Sequence, residues 1–416
     1  MKLIWDVTNY CNLNCKHCGA KNSASATYLS KSKAFNLIDV LDSYIDEVDL
    51  LGGEPLLYPY IFDVLERLTA KNISINLITN GQFEGPIAEK VLTYPIKSIF
   101  VSFEGLKEEN DFVRGKGSWD KAFAFLVELI RIKKMQLKNT TIGVNIVLNK
   151  RNQENVIRII DFFDDKKVDR IQFNPLHIDG NAKVNQSTLY LAEEEKVDAY
   201  EKIAQKSLNT LYSNVTINCD YPLVSHYLNT KYGTSMNPIT AECTAFIDSI
   251  YANSEGICYP CRRWLKKIDS GKSKEKMSFD SIDEFLHNVA ISPTRSCPEC
   301  EFVSVCHPCP LIIDNKQPQI CKIAQERFHS IIDTNKTITF ATPAYFVEEK
   351  NRYFVYFPEL SCKTEYTMEG YNILRMCEFG VDITTLSEKT HMPLENITKF
   401  LLQESSKGKL RIESNA

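Results

Sequence analysis

The sequence predicts an α/β protein built on a parallel sheet. Between Lys2 and Pro175 it holds six short apolar runs, helical patterns separate most of them, and strand and helix alternate in a fixed order. The runs are Lys2 to Val7, Glu47 to Leu51, Ser74 to Ile78, Ser98 to Phe103, Thr140 to Leu148 and Asp169 to Asn174. Each is short, rich in Ile, Leu, Val or Phe, and suited to a buried parallel strand. The clearest helices are Ser32 to Ile45, Tyr60 to Ala70, Trp119 to Lys134 and Glu154 to Phe163, where apolar residues recur at three and four positions as on a helix lying against a sheet. Six such units fall short of the eight that close a complete barrel.

Leu191 to Tyr212 reads as strongly helical, and beyond Cys219 the chain changes character. Cys243 to Cys321 contains eight cysteines and few long periodic runs, so ligand bonds rather than a large apolar core are expected to organise it. A helical bridge follows near Ile323 to Ile332. The last eighty or so residues read as a separate unit. Tyr345-Phe346-Val347 and Tyr353-Phe354-Val355-Tyr356 form a hairpin about Glu349-Lys350-Asn351, three helical patterns lie near Met368 to Cys377, Ile383 to Thr390 and Leu394 to Gln403, and Leu410-Arg411-Ile412 gives a final strand. Hairpin plus three helices is a winged-helix-like arrangement. The expected domains are therefore 1–190, a helical linker at 191–242, a cysteine-rich segment at 243–336 and a C-terminal domain at 337–416.

Composition narrows the function. With 416 residues, 44% of them hydrophobic, the chain can bury more than one core. A net charge of -4, with scattered Lys and Arg, disfavours nucleic acid as a partner. No segment reaches the ~18 apolar residues of a membrane helix, and the opening run Lys2 to Val7 is a short apolar stretch with an acid inside it, so no membrane partner and a cytoplasmic location are expected. Fourteen cysteines in a large chain of this kind point to metal rather than to disulfides.

The most specific motif is Tyr10-Cys11-Asn12-Leu13-Asn14-Cys15-Lys16-His17-Cys18, directly after the first strand. Three thiolates can hold three irons of a four-iron cluster and leave the fourth to an outside ligand. This CxxxCxxC order resembles the radical S-adenosylmethionine (SAM) superfamily. The resemblance implies that SAM chelates the open iron and is cleaved to a 5'-deoxyadenosyl radical, that the six strand-helix units form a partial (β/α)6 TIM barrel, and that a donor such as flavodoxin or ferredoxin supplies the electron.

Leu51-Gly52-Gly53-Glu54-Pro55 ends the second strand, where ligands of such sheets bind. Gly52 and Gly53 permit close backbone approach, and Glu54 offers acceptors; the resemblance implies that this stretch holds the SAM amino group. It also implies polar contacts to SAM or substrate from Asn80, in Thr79-Asn80-Gly81, and Ser102, in Ser102-Phe103-Glu104-Gly105. The family more often has Asp where Glu104 stands. Arg114 resembles a position near the SAM carboxylate, and a solvated surface residue accounts for it equally well. His17 resembles a residue that packs beside adenine rather than one that ligates metal.

Cys243, Gly256 and Cys261 follow CX12GX4C, Cys297, Cys300, Cys306 and Cys309 follow CX2CX5CX2C, and Cys321 stands alone after eleven intervening residues. This order resembles the SPASM extension of radical SAM enzymes, which implies two auxiliary four-iron clusters. Cys243, Cys261 and Cys309 would hold the first, with Cys258 as its candidate fourth ligand, and Cys297, Cys300, Cys306 and Cys321 the second. The family's last central interval has three residues; here only His307 and Pro308 intervene. Read without the resemblance, the CxxC pairs also suit structural zinc. Cys219, Cys362 and Cys377 fit neither scheme and read as small buried hydrophobes.

The C-terminal unit resembles the PqqD-like elements that capture leader peptides by edge pairing, with Tyr345, Tyr353 and Tyr356 along the groove. The expected activity is that of a radical SAM maturase of ribosomally made (RiPP) precursor peptides, forming a thioether, as in sactipeptides, or another crosslink. Alternatives are an anaerobic sulfatase-maturing (formylglycine-forming) enzyme, a peptide epimerase, or a zinc-stabilised winged-helix regulator without enzymatic activity.

Overall fold

A computed structural model describes residues 1–19, 26–219, 221–232, 249–259, 261–262, 319–329, 336–349, 352–360, 362–378, 380–407 and 409–414. The chain divides into two compact units, Met1–Asn218 with Cys243–Pro293, and Cys219–Glu242 with Thr294–Ala416.

The first unit is organised by a nine-stranded sheet. Its strands are β1 (Lys2–Thr8), β2 (Glu47–Gly52), β3 (Ser74–Thr79), β4 (Ile96–Phe103), β5 (Thr141–Leu148), β6 (Arg170–Pro175), β7 (Asn214–Ile217), β8 (Ser249–Ala252) and β9 (Cys258–Tyr259), in the order β7-β6-β5-β4-β3-β2-β1-β8-β9. Strands β1 to β7 pair parallel in succession, β8 pairs parallel with the free side of β1, and only β9 runs antiparallel. The six expected strands are all present. The sequence missed β7, which lies within the stretch read as a helical linker, and β8. Both are four residues long, too short for period counting to separate from a loop.

Alternation along these strands decides which face the helices cover. Val144 and Ile146 of β5, Ile171 and Phe173 of β6 and Ile99, Val101 and Phe103 of β4 are fully buried. The Phe103 ring lies 5.1 Å from both Trp119 and Phe163, on the helices Ser118–Gln136 and Val156–Asp165. Most of the intervening positions are polar, Ser98 and Ser102, Asn145, Gln172 and Asn174, Thr216, with Phe100, Gly143 and Val147 among them. A parallel strand covered on both faces would be apolar throughout. Here one face carries helices and the other presents hydrogen-bonding groups. At the N-terminal strand ends that polar face is closed by a network in which Asn76 donates to Glu47 at 2.8 Å and Asp49 at 2.7 Å, and Lys2 pairs with Glu47 at 2.7 Å.

In the second unit, β10 (Lys336–Phe340) lies between β14 (Val381–Asp382) and β15 (Leu410–Ser414), and β11 (Tyr345–Glu349), β12 (Arg352–Phe357) and β13 (Cys362–Tyr366) form a second antiparallel sheet. The expected hairpin is thus part of a three-stranded meander, with Tyr345 opposite Tyr356 and Tyr353 opposite Tyr366. The helices Met368–Cys377, Ile383–Thr390 and Leu394–Ser406 pack with the strands around Ile338, Val355, Phe357, Leu374 and Leu401. Tyr345 and Tyr356 are exposed, but Tyr353 packs 5.2 Å from the Tyr371 ring against this core, so it does not line a groove as expected. Cys377 is fully buried in the same core.

Candidate functional site

The cysteine loop springs from the C-terminal end of β1 and is fastened from three sides. The Gly52-Gly53-Glu54 turn grips its start: Gly53 N donates to Thr8 O at 2.7 Å and Glu54 N to Tyr10 O at 2.8 Å. Any Cβ at Gly53 would lie 2.1 Å from Tyr10 O, and one at Gly52, whose φ is +125°, 2.4 Å from Thr8 O. The close approach expected of these glycines is therefore to the cysteine loop itself. From the end of β3, Asn80 Nδ2 donates to Asn12 Oδ1 at 2.7 Å and lies 3.5 Å from Cys11 Sγ. Beyond β6, Asn181 Nδ2 donates to Asn14 Oδ1 at 2.7 Å and Cys15 O at 3.1 Å, Asn181 N to Cys18 O at 2.9 Å, and Asn185 Nδ2 to Lys16 O at 3.2 Å. Gly180, at φ +50°, allows this contact, since a Cβ there would meet Cys18 O at 2.8 Å.

Glu54 is wholly buried beneath the loop. Its carboxylate accepts from Thr79 Oγ1 at 2.7 Å, Asn80 N at 2.7 Å and Leu56 N at 3.1 Å. Burial pushes its pKa up to about 7 against the pull of these donors. A cation would hold it ionised. Glu104, also fully buried, accepts from Arg114 Nη2 at 2.7 Å and Nε at 3.1 Å, and lies 3.5 Å from His17 Nε2. Burial pushes Glu104 up to about 7, opposed by the Arg114 guanidinium. Burial and the same guanidinium hold His17 well below its ordinary value, so the imidazole is neutral, and its buried Nδ1 has no partner among the described residues. Arg114 is thus a buried partner of Glu104 and not a solvated surface residue. Ser102 sits on the polar face of β4, opposite Asn145.

Cys11, Cys15 and Cys18 are free thiols. Burial pushes the Cys15 thiol up to about 12 despite Arg114 nearby, and raises Cys11 too. Among the described residues no three His, Cys, Asp or Glu converge closely enough to share a single metal ion. A four-iron cluster is wider than one ion and takes its thiolates at different corners, and three free thiols on one loop fit it. Cys258 on β9 is buried and Cys261 follows it, with Arg262 Nη2 3.3 Å from Asp6 Oδ2, an atom that also accepts from Tyr251 at 2.6 Å. Cys321 lies on the helix Gln319–His329 of the second unit. Cys243, Cys297, Cys300, Cys306 and Cys309 lie outside the described residues. No helix among the described residues is long and apolar enough to cross a membrane.

Sequence reasoning missed Asn12, Asn181 and Asn185. An Asn pair four apart on one helical face was visible, but nothing in the sequence ties it to a loop more than 160 residues earlier.

The parallel sheet thus carries three free cysteines on the loop after its first strand and a buried carboxylate after its second. Residues 5–163 match the model of the Radical SAM superfamily. The chain is 27% identical over 293 residues to the Fe-coproporphyrin III synthase of Methanosarcina barkeri, covering 68% of this chain and 71% of that protein. It is 32% identical over 131 residues to the mycofactocin maturase MftC of Mycolicibacterium smegmatis, covering 30% of this chain and 33% of the relative. Among solved structures, Streptococcus suis SuiB bound to S-adenosylmethionine superimposes with a TM-score of 0.61 at 17% identity, covering 77% of each chain. That likeness is one of fold.

Proposed function

We propose that the protein is a radical SAM maturase that abstracts hydrogen from a ribosomally made precursor peptide and forms a thioether or another crosslink. Cys11, Cys15 and Cys18 would hold the SAM-binding four-iron cluster, Glu54 would accept the SAM ammonium group, and Gly52, Gly53 and Asn80 would fix the loop around them. When bound, the cluster and SAM supply a 5'-deoxyadenosyl radical; the protein supplies position and exclusion of water. Neutral His17, held beside Glu104 and Arg114, would give the adenine side of the site a packed, uncharged wall. Cys243, Cys258, Cys261, Cys297, Cys300, Cys306, Cys309 and Cys321 are proposed as ligands of two auxiliary clusters in a SPASM-like segment.

The observation that carries the peptide reading is the second unit. Its β11-β12-β13 sheet has two outer strands, exposed Tyr345 and Tyr356 stand opposite one another, and three helices follow. A sheet edge of this kind can capture an extended leader by backbone hydrogen bonds, as PqqD-like elements do. SuiB, which shares the fold, has been solved bound to its precursor peptide SuiA. A second reading, chemistry on a tetrapyrrole, is favoured by the similarity to Fe-coproporphyrin III synthase over 68% of this chain.

The test is anaerobic reconstitution, reductant and SAM, with short peptides encoded beside the gene and, separately, a tetrapyrrole precursor of iron coproporphyrin III. A peptide losing two hydrogens supports crosslinking. An unchanged mass in ordinary water with deuterium uptake in heavy water would point to epimerisation, and a formylglycine product to the sulfatase-maturing alternative. Turnover of the tetrapyrrole with every peptide unchanged would overturn the proposal.

A further inference from the structure

Four polar residues on four adjacent strands stand in one register row: Ser102 of β4 pairs with Asn145 of β5, Asn145 with Gln172 of β6, and Gln172 with Thr216 of β7. Their neighbours along each strand, Val101 and Phe103, Val144 and Ile146, Ile171 and Phe173, Val215 and Ile217, are buried on the helix side. The polar row therefore lies on the opposite face. Thr79 pairs with Val101, so Asn80, the residue that reaches Cys11 Sγ at 3.5 Å, stands level with Ser102. The row starts at the cysteine loop and runs away from it across the sheet.

Two of its members are unsatisfied among the described residues. Thr216 is only 8% exposed, and its Oγ1 is buried without a partner among the described residues, as is Asn145 Oδ1. Buried polar atoms are rarely left unpaired in a folded protein, because each costs the loss of its water. Gln172 Nε2 is held 3.3 Å from Asn174 Oδ1, which also accepts from Asn218 at 2.8 Å, so the carboxamides form a braced set. Below the row the Phe100 ring fills the space of a side chain at Gly143, giving it an aromatic floor. The row and the residues above it, Val147, Asn174 and Asn218, carry no formal charge.

We infer that Asn145, Gln172 and Thr216 form the specificity-determining wall for the substrate, and that the substrate segment they take is a neutral, extended stretch of peptide whose main-chain amides pair with these side chains. Three adjacent strands span about 10 Å, the length of roughly three extended residues. Carboxamide and hydroxyl groups both donate and accept, which matches a peptide backbone. A tetrapyrrole bearing several carboxylates needs several cations instead, and the row itself carries none; Arg170 stands one step below it, beside Gly143. The inference rests on the peptide reading above and adds the place and the chemistry of substrate contact.

The experiment uses full-length reconstituted enzyme. Peptides that the wild-type protein modifies are recovered from a mixed-sequence pool, and KM and kcat are measured for them with Asn145→Leu, Thr216→Val and the conservative Thr216→Ser. Asn145→Leu and Thr216→Val are each expected to raise KM about fivefold to tenfold, with melting temperature unchanged and Thr216→Ser close to wild type. Unchanged KM in Asn145→Leu and Thr216→Val, with the wild type still modifying peptide, would overturn the wall and leave the maturase reading standing. If the wild type modifies no peptide in the pool and forms iron coproporphyrin III from a tetrapyrrole precursor, the maturase reading itself fails.

Discussion

Replacing Gly53 by Ala should unseat the cysteine loop, and the size of the effect follows from the contacts. The added methyl would lie 2.1 Å from Tyr10 O, 2.5 Å from Tyr10 C and 2.8 Å from Asn9 C, all main-chain atoms that cannot swing aside. Carbon contacts are comfortable near 3.5 Å, so the two segments must part by more than about 1 Å. That separation breaks the bonds from Gly53 N to Thr8 O and from Glu54 N to Tyr10 O. Each is worth about 1 kcal/mol net, and more where the groups stay buried, so with the overpacking the loss is about 3 kcal/mol. For a unit of this size that lowers the melting temperature by about 6–12 °C. Calorimetry of the metal-free protein reads the stability, and iron content after anaerobic reconstitution reads the loop. Gly85→Ala is the control, since nothing comes within 3.7 Å of a Cβ there. A Gly53→Ala protein that melts with the wild type and takes up the same iron would refute the reasoning.

Three further outcomes are expected. Glu54, raised from 4.5 to about 7, binds its proton more tightly folded than unfolded, so it makes metal-free protein lose stability as pH rises through that interval, by about 3 kcal/mol in full; Glu54→Gln should flatten the decline in melting temperature between pH 5 and pH 8, and an unchanged slope would contradict it. Arg114→Met strands Glu104 in a fully buried position, with a loss of up to about 3–5 kcal/mol at pH 8 and less at pH 5, where Glu104 takes up a proton; urea titrations at the two pH values measure the difference. Asn181→Ala removes the donors to Asn14 and Cys15, and should leave the melting temperature within a few degrees while lowering retained iron during chelator challenge.

Strand-helix alternation made the sheet legible because Ile, Val and Phe recur where the helices press on it, and all six expected strands fall within about two residues of their observed limits. The strands β7 and β8 escaped because Asn214–Ile217 and Ser249–Ala252 are too short to show a period and owe their state to pairing with β6 and β1. At the site, Cys11, Cys15, Cys18 and Glu54 were marked by local spacing. The long-range partners were not: Asn181 and Asn185 touch the loop only after the sheet forms, and the coupling of Arg114 to Glu104 and His17 depends on three segments meeting. Tyr353 was misread because a strand in the middle of a meander presents one face to a core, and the sequence gives no sign of which face that is.

The tie from Asn181 and Asn185 to the cysteine loop has a consequence for biogenesis. The clasp joins residues 167 positions apart, so a nascent chain that has emerged only through β5 holds all three thiols and the fastenings from Gly53, Glu54 and Asn80 but lacks the third. Iron delivered that early would meet a loop held from two sides only. A cluster held by these thiols would be clasped from this side only once the far side of the sheet has formed, which would tie its retention to completed folding.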